Sequence, residues 1–224
     1  PAASCGETPQ PPGCKVADQV DWDRQRSLGA IRYVLSDRDA KGKMRDPGVV
    51  RETRETLLVV AEKLSRTAAG SAYGRTLGAF AKWGSNGEIA RQALLLHAAE
   101  RASGGEVSHE ATAANTLAHL LGRNLFGRSF VTKLGNEPPE HPHHRPSMVF
   151  SDAWPGYLVG GPNPSVKSWS DSWLAFKSNE VAINWNAGLA YAAGRFHVCG
   201  AAGTRALEWV QGNKTAAPKV EAGL

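Results

Sequence analysis

Several things are scarce or missing in this sequence. It has three cysteines in 224 residues and no Cys-x-x-Cys pair, which removes the usual thiolate framework for structural zinc. No apolar run approaches the ~18 residues that a membrane-spanning helix needs. There is no Walker or dinucleotide glycine pattern, and no Gly-x-Ser-x-Gly elbow to carry a nucleophilic serine. One-signed charge is also scarce. Lys and Arg number 26 against 21 Asp and Glu, for a formal net charge of +5. The basic residues are scattered among acids and form no block or stripe, so nucleic acid is a poorly supported partner. Convincing strand-like alternation is lacking. The chain opens at Pro1 with neither Met nor a charged-then-apolar leader, as expected of a processed or cleaved product.

What is present suits a globular chain, with 42% hydrophobic and 21% charged residues. Residues 1–20 are irregular and Pro-rich. Within them Cys5 and Cys14 bound CGETPQPPGC. Either they form a local disulfide, which would suit a secreted or periplasmic protein, or they are two free thiols. Cys199 is left over.

From about Trp22 the pattern turns helical, with Leu28, Ile31 and Leu35 on one face. Asp46-Pro47 reads as an N-cap and first-turn proline. The helix that follows is expected to bury Leu57, Val60, Ala61 and Leu64 and to end at Gly70. A turn over 71–74 should lead into a short helix reaching Trp83. WGSNGE (83–88) reads as a sharp loop in which Ser85 or Asn86 caps a helix carrying Ile89, Ala93 and Leu96. Ser103-Gly-Gly stops that helix. Ser108 caps another, with Ala113, Leu117, Leu120 and Leu121 on one face. Residues 123–177 are rich in Gly and Pro and lack a sustained period, and loops of this length in a compact domain are usually functional. A strong helix over 179–196 and a weaker one over 204–211 close the chain. The sum is an all-α array of about six helices with one long loop.

The chemistry concentrates in residues 169–187, WSDSWLAFKSNEVAINWNA. Asp171 and Glu180 stand among Trp173, Phe176, Trp185, Asn184 and Asn186. A carboxylic acid near apolar walls resists ionising and can keep a proton for a glycosidic oxygen. Aromatic faces stack on pyranose rings, and amides bond their hydroxyls. The plainer alternative is a helix start where Glu180 favours the helix dipole. Trp154, Trp169, Trp173 and Trp185 cluster here as a stacking surface or as ordinary packing. His141, His143 and His144 lie in PEHPHHRP, where the prolines forbid the helical i, i+4 metal geometry. Beside Arg145 they read better as donors to hydroxyls or developing negative charge than as metal ligands.

In order along the chain, WGSNG, LGRNLFGRSFVT, PHHRPS, LVGGPN and NEVAINWNA resemble the C-terminal half of glycoside hydrolase family 9, the cellulase family. The resemblance spans about residues 22–196. It implies that residues 21–224 form the C-terminal half of an (α/α)6-barrel catalytic domain. Trp169, Asp171, Phe176, Glu180, Asn186 and Ala187 match the family's second signature. Ser129, Val131, Thr132, Gly135, Pro142, His143 and Arg145 match its first. The similarity implies Glu180 as general acid, with Asp171 and His143 as the other catalytic candidates. It also implies Arg145, His144, Trp154 and Trp185 as substrate contacts. Glu137 departs from the family's Asn, Lys or Arg, which puts the local loop geometry in doubt. The implied reaction is inverting, endoglucanase-like hydrolysis of β-1,4-glucan. An exo-acting cellodextrinase, a β-glucosaminidase and a non-catalytic carbohydrate-binding half-barrel remain open. No cofactor is required, although calcium is possible with ligands unknown. The family's water-activating DAGD-like motif has no match here, Asp37 and Asp39 being only a weak lookalike. The expected partner is therefore the N-terminal half of the barrel, which should cover exposed apolar helix faces.

Overall fold

The computed structural model describes residues 16–21, 24–36, 38 and 41–196. Cys5, Cys14, Cys199, Trp22, Asp37, Asp39 and the helix expected over 204–211 lie outside them. The chain divides into two units, Pro1–Ala192 and Ala193–Leu224. Of the second, only the end of the last helix is described.

The longer helices are α1 (Arg26–Leu35), α2 (Pro47–Ala69), α3 (Ser85–Ala102), α4 (Glu110–Leu120) and α7 (Ile183–Phe196); the short α5 (Arg145–Phe150) and α6 (Phe176–Asn179) interrupt the long loop. Extended pairing among the described residues is limited to isolated bridges. Helix α3 lies between α2 and α4, and α1 leans on α2 and α3.

Helix α2 starts where expected. One Asp46 carboxylate oxygen accepts from the Gly48 and Val49 amides at 2.8 and 3.0 Å, satisfying two of the free N–H groups of a helix start. Its buried stripe is Thr53, Leu57, Ala61, Leu64 and Ala68, a spacing of three and four. Val60 falls just beside that stripe and is only half-buried. In α4, Ala113, Leu117 and Leu120 are buried as expected, with Leu121 at the margin. Each fully buried Leu or Ile contributes about 2 kcal/mol of transfer free energy, and Leu57, Ile89, Leu95, Leu96 and Leu120 form the centre of that core.

Helix α3 is buried nearly all round, its polar residues included, so those residues must find partners inside. The Arg91 guanidinium meets Asp21 at 3.0 Å and donates to the carbonyls of Val20 and Asn184. Gln92 donates to the Asp18 carbonyl at 3.2 Å. These bonds pin residues 16–21 onto α3, with Val16 and Val20 inside the core. Glu88, in the first turn where a helix favours negative charge, pairs with Lys82 at 2.5 Å.

Two expectations fail between α2 and α3. No short helix reaches Trp83. A single 3-10 turn (Ala72–Gly74) is followed by turns, because Tyr73, Gly74 and Gly78 take φ of 63°, 65° and 58°, which a right-handed helix cannot propagate. The Arg75 side chain satisfies the carbonyls of Gly78 and Phe80 instead. Neither Ser85 nor Asn86 caps α3. The N-cap is Gly84 in the left-handed region, and both side chains are used inside the fold.

Candidate active site

Three distant motifs are stitched into one floor. The backbone N–H of Asn86 in WGSNG donates to the Gly160 carbonyl at 3.0 Å, and its side-chain amide donates to the Val159 carbonyl at 3.0 Å. In LVGGPN, the Gly160 amide donates to the Glu180 carbonyl and the Gly161 amide to the Ser178 carbonyl, both at 2.8 Å. Gly161 has φ of 85°, and a Cβ there would lie 2.3 Å from the Asn86 amide carbon, so only glycine allows this approach. Glu180 is therefore held extended, φ −73° and ψ 156°, and α7 begins three residues later, at Ile183. The expected helix start over 179–180 is thus corrected. The backbone of Glu180 serves bridges to His143 and, through Val181, to Val159.

The half-buried Glu180 carboxylate accepts the Trp83 indole N–H at 2.9 Å. Trp83 is 45% exposed. It meets Trp185 edge to face, with centroids 5.0 Å apart. Trp185 was expected to line a sugar subsite, but it is 1% exposed. Its ring fills a slot whose walls lack side chains: Cβ atoms at Gly87, Gly84 and Gly160 would come within 2.1, 2.8 and 3.2 Å of it. Asn184 and Asn186 are also engaged inward. Asn184 donates to Asp21 at 3.1 Å, while Asn186 accepts from the Leu158 amide at 3.0 Å and donates to the Ala182 carbonyl at 2.9 Å. Both amides are thus tied to partners within the fold.

Asp171 is an organiser. Its side chain is 7% exposed, and each carboxylate oxygen takes two donors. One accepts from the His141 amide (2.9 Å) and Asn179 (3.1 Å), the other from the Glu140 amide (2.8 Å) and Arg128 (3.3 Å). Arg128 also donates to the Glu137 and Pro138 carbonyls and lies over the Trp169 ring at 5.3 Å. Glu137 adopts φ of 39°, a region that asparagine tolerates better than glutamate, which is the physical content of that departure from the family pattern. Trp169 itself packs inward against Phe126 and Phe130.

The first signature supplies the framework for the histidines. Ser129, Val131 and Thr132 are fully buried, and the Thr132 hydroxyl donates to the Trp154 carbonyl while accepting the Tyr157 amide. Nδ1 of His143 meets the Trp173 carbonyl at 2.5 Å. A carbonyl only accepts, so that nitrogen carries a proton and Nε2 is left for other partners. The His144 ring contacts Trp154 and Tyr157 at 5.5 and 4.9 Å, bonds Ser147 through Nδ1 at 2.9 Å, and is held toward its neutral form by burial, its pKa lowered. Trp154 is 42% exposed and stacks on Tyr157. Arg145 is exposed at the first position of α5. The structure thus brings Glu180, His143 and Asp171 onto one connected backbone, with His144, Trp154 and Arg145 on the adjoining helix and loop.

Residue-by-residue reading missed Trp83 and Arg128 as site residues. Both stand in motifs that signalled the family, and a donor-only indole beside a sharp glycine turn was the available clue. His141, His143 and His144 face different partners, and among the described residues no group of three or more His, Cys, Asp or Glu side chains is placed to hold a metal ion.

The model of glycosyl hydrolase family 9 matches residues 12–193. The chain belongs to that family. Endoglucanase D of Acetivibrio thermocellus is 40% identical over 184 residues, which is 81% of this chain and 29% of that protein. A xyloglucan-specific endo-β-1,4-glucanase of Bacteroides ovatus is 33% identical over 186 residues, 75% of this chain and 31% of that protein. The crystal structure of a metagenome-derived family 9 endoglucanase superposes with a TM-score of 0.74 at 31% identity, covering 82% of this chain and 34% of that one. The helices are thus part of the (α/α)6 barrel of family 9, and the chain spans about 30% of the length of the curated relatives it matches.

Proposed function

We propose that this chain contributes the proton-donating wall of an inverting, endoglucanase-like enzyme that hydrolyses β-1,4-glucan. The observation that carries the reading is the carboxylate of Glu180, held by the Trp83 indole N–H at 2.9 Å on a backbone paired with His143. In this mechanism Glu180 gives its proton to the glycosidic oxygen as the C–O bond breaks. A water molecule attacks the anomeric carbon from the opposite face, losing its proton to a carboxylate on barrel segments outside these 224 residues. The two carboxylates should stand ~6.5–9.5 Å apart to admit that water. Asp171 positions the loop. Nε2 of His143 and the Arg145 guanidinium serve the sugar hydroxyls, and the exposed Trp154 offers a stacking face. The names of the relatives, both endo-acting on glucans, favour this substrate class.

Large apolar residues left open in this chain support the idea that further barrel segments cover it. Ile183 is 91% exposed, Leu174 79%, Val149 78% and Phe150 69%. A polymeric substrate places the enzyme outside the cytoplasm, secreted or periplasmic. The test is Glu180→Gln in the complete catalytic domain, assayed on cellohexaose. The expected result is a ~10²–10⁴-fold loss of kcat. Turnover within a few-fold of the parent sinks the assignment.

A further inference from the structure

We infer that Trp83 is a positioning residue for Glu180, fixing which carboxyl oxygen carries the transferable proton. The inference rests on the role proposed above for Glu180. Indole Nε1 is a donor with no acceptor capacity, and it lies 2.9 Å from Glu180 Oε2. A protonated carboxyl has one O–H oxygen and one carbonyl oxygen. The carbonyl oxygen is the better acceptor of the two, so an N–H facing Oε2 favours the proton on Oε1. When that proton leaves for the glycosidic oxygen, the group at Oε2 becomes an anion still held by the same N–H. Hydrogen bonds to ionised acceptors are the stronger ones, so the contact tightens as the reaction advances, which is the condition for lowering a barrier.

The ring of Trp83 is not held by its own burial, since 45% of it is exposed. It is held by the edge-to-face contact with Trp185 at 5.0 Å and 68°. Trp185 in turn is locked in the slot of Gly84, Gly87 and Gly160. Three glycines and a sealed tryptophan therefore aim one indole N–H at the acid. A plain packing role does not account for a half-open ring whose only polar atom meets this carboxylate. A sugar-stacking role uses the ring face and is indifferent to the N–H.

The experiment is Trp83→Phe in the complete catalytic domain, with a second variant carrying β-(3-benzothienyl)alanine at position 83, which keeps the indole shape and replaces the N–H by sulfur. Each is assayed on cellotetraose, whose leaving group needs a proton, and on 2,4-dinitrophenyl β-cellobioside, whose leaving group does not. Both variants should lose kcat on cellotetraose by roughly 10- to 100-fold, with KM little moved, and should keep dinitrophenyl cellobioside turnover within a few-fold. Equal losses on both substrates, a change confined to KM, or no loss would overturn the inference. Glu180→Gln runs in parallel. If it keeps cellotetraose turnover, the role of Glu180 is wrong. If it shows the leaving-group split while the Trp83 variants do not, the role of Glu180 stands and the positioning inference alone falls.

Discussion

Gly87→Ala isolates the slot that holds Trp185. In an unconstrained helix interior, alanine is favoured over glycine by about 1 kcal/mol. Gly87 lies in the first turn of α3, yet its substitution should act in the opposite direction. The added Cβ would stand 2.1, 2.4 and 2.8 Å from Cδ1, Cγ and Cβ of Trp185. These are the root of a rigid ring and cannot swing aside as the tip of a flexible chain could. Overpacking of this kind typically costs 1–3 kcal/mol. A collision this deep belongs at the upper end of that range, so after the propensity gain a net loss of about 2 kcal/mol is expected. Gly29→Ala is the control. Gly29 is helical, and nothing lies within 4 Å of its built Cβ, so propensity alone should act and stability should rise by up to about 1 kcal/mol. Guanidinium unfolding of the parent and both variants measures the two changes. If Gly87→Ala raises the midpoint as Gly29→Ala does, the glycine slot is not what holds Trp185.

Two further perturbations test the surroundings. Asp171→Asn puts an N–H₂ group against donors now served by a carboxylate that is 7% exposed; a loss of ~2–4 kcal/mol in denaturant unfolding is expected, and an unchanged midpoint would deny Asp171 its organising role. His119 is pushed from the ordinary histidine range down to about 3, first by burial and then by the fields of Arg75 and Arg123. The folded chain refuses a proton that the unfolded chain accepts, so stability is complete above about pH 6.5 and falls as pH drops toward 3, by at most ~1.4 kcal/mol per pH unit from this group. The stability lost between pH 7 and 4.5 should shrink in His119→Gln, and an identical loss in parent and variant would contradict the assignment.

Local signals were the legible ones. Asp46 and Pro47 announce the start of α2 because a cap is a contact between residues two and three apart. The α2 stripe follows from spacing for the same reason. The family motifs gave Glu180 and Asp171 their order along the chain, since order needs no geometry. The inward turn of Trp185 was not legible, because the slot that swallows it is made by Gly84, Gly87 and Gly160, two of them about a hundred positions away. The inward bonds of Asn184 and Asn186 were hidden for the same reason. An amide next to aromatics reads as a sugar ligand until the Leu158 amide and Asp21 arrive to occupy it. The late start of α7 also comes from afar, since Gly160 and His143 demand extended backbone where the local pattern favours helix.

The bond from Trp83 to Glu180 joins positions 97 apart in the chain, and the amide of Asn86 reaches 73 positions to Val159. Such long closures form after the neighbouring helical turns, because chain entropy opposes them until other contacts shorten the gap. A newly made or partly opened molecule can thus possess its helices while its acid still dangles. For anyone grafting these motifs onto another scaffold, transplanting the segment around Glu180 by itself would carry over the carboxyl group and leave behind everything that aims it.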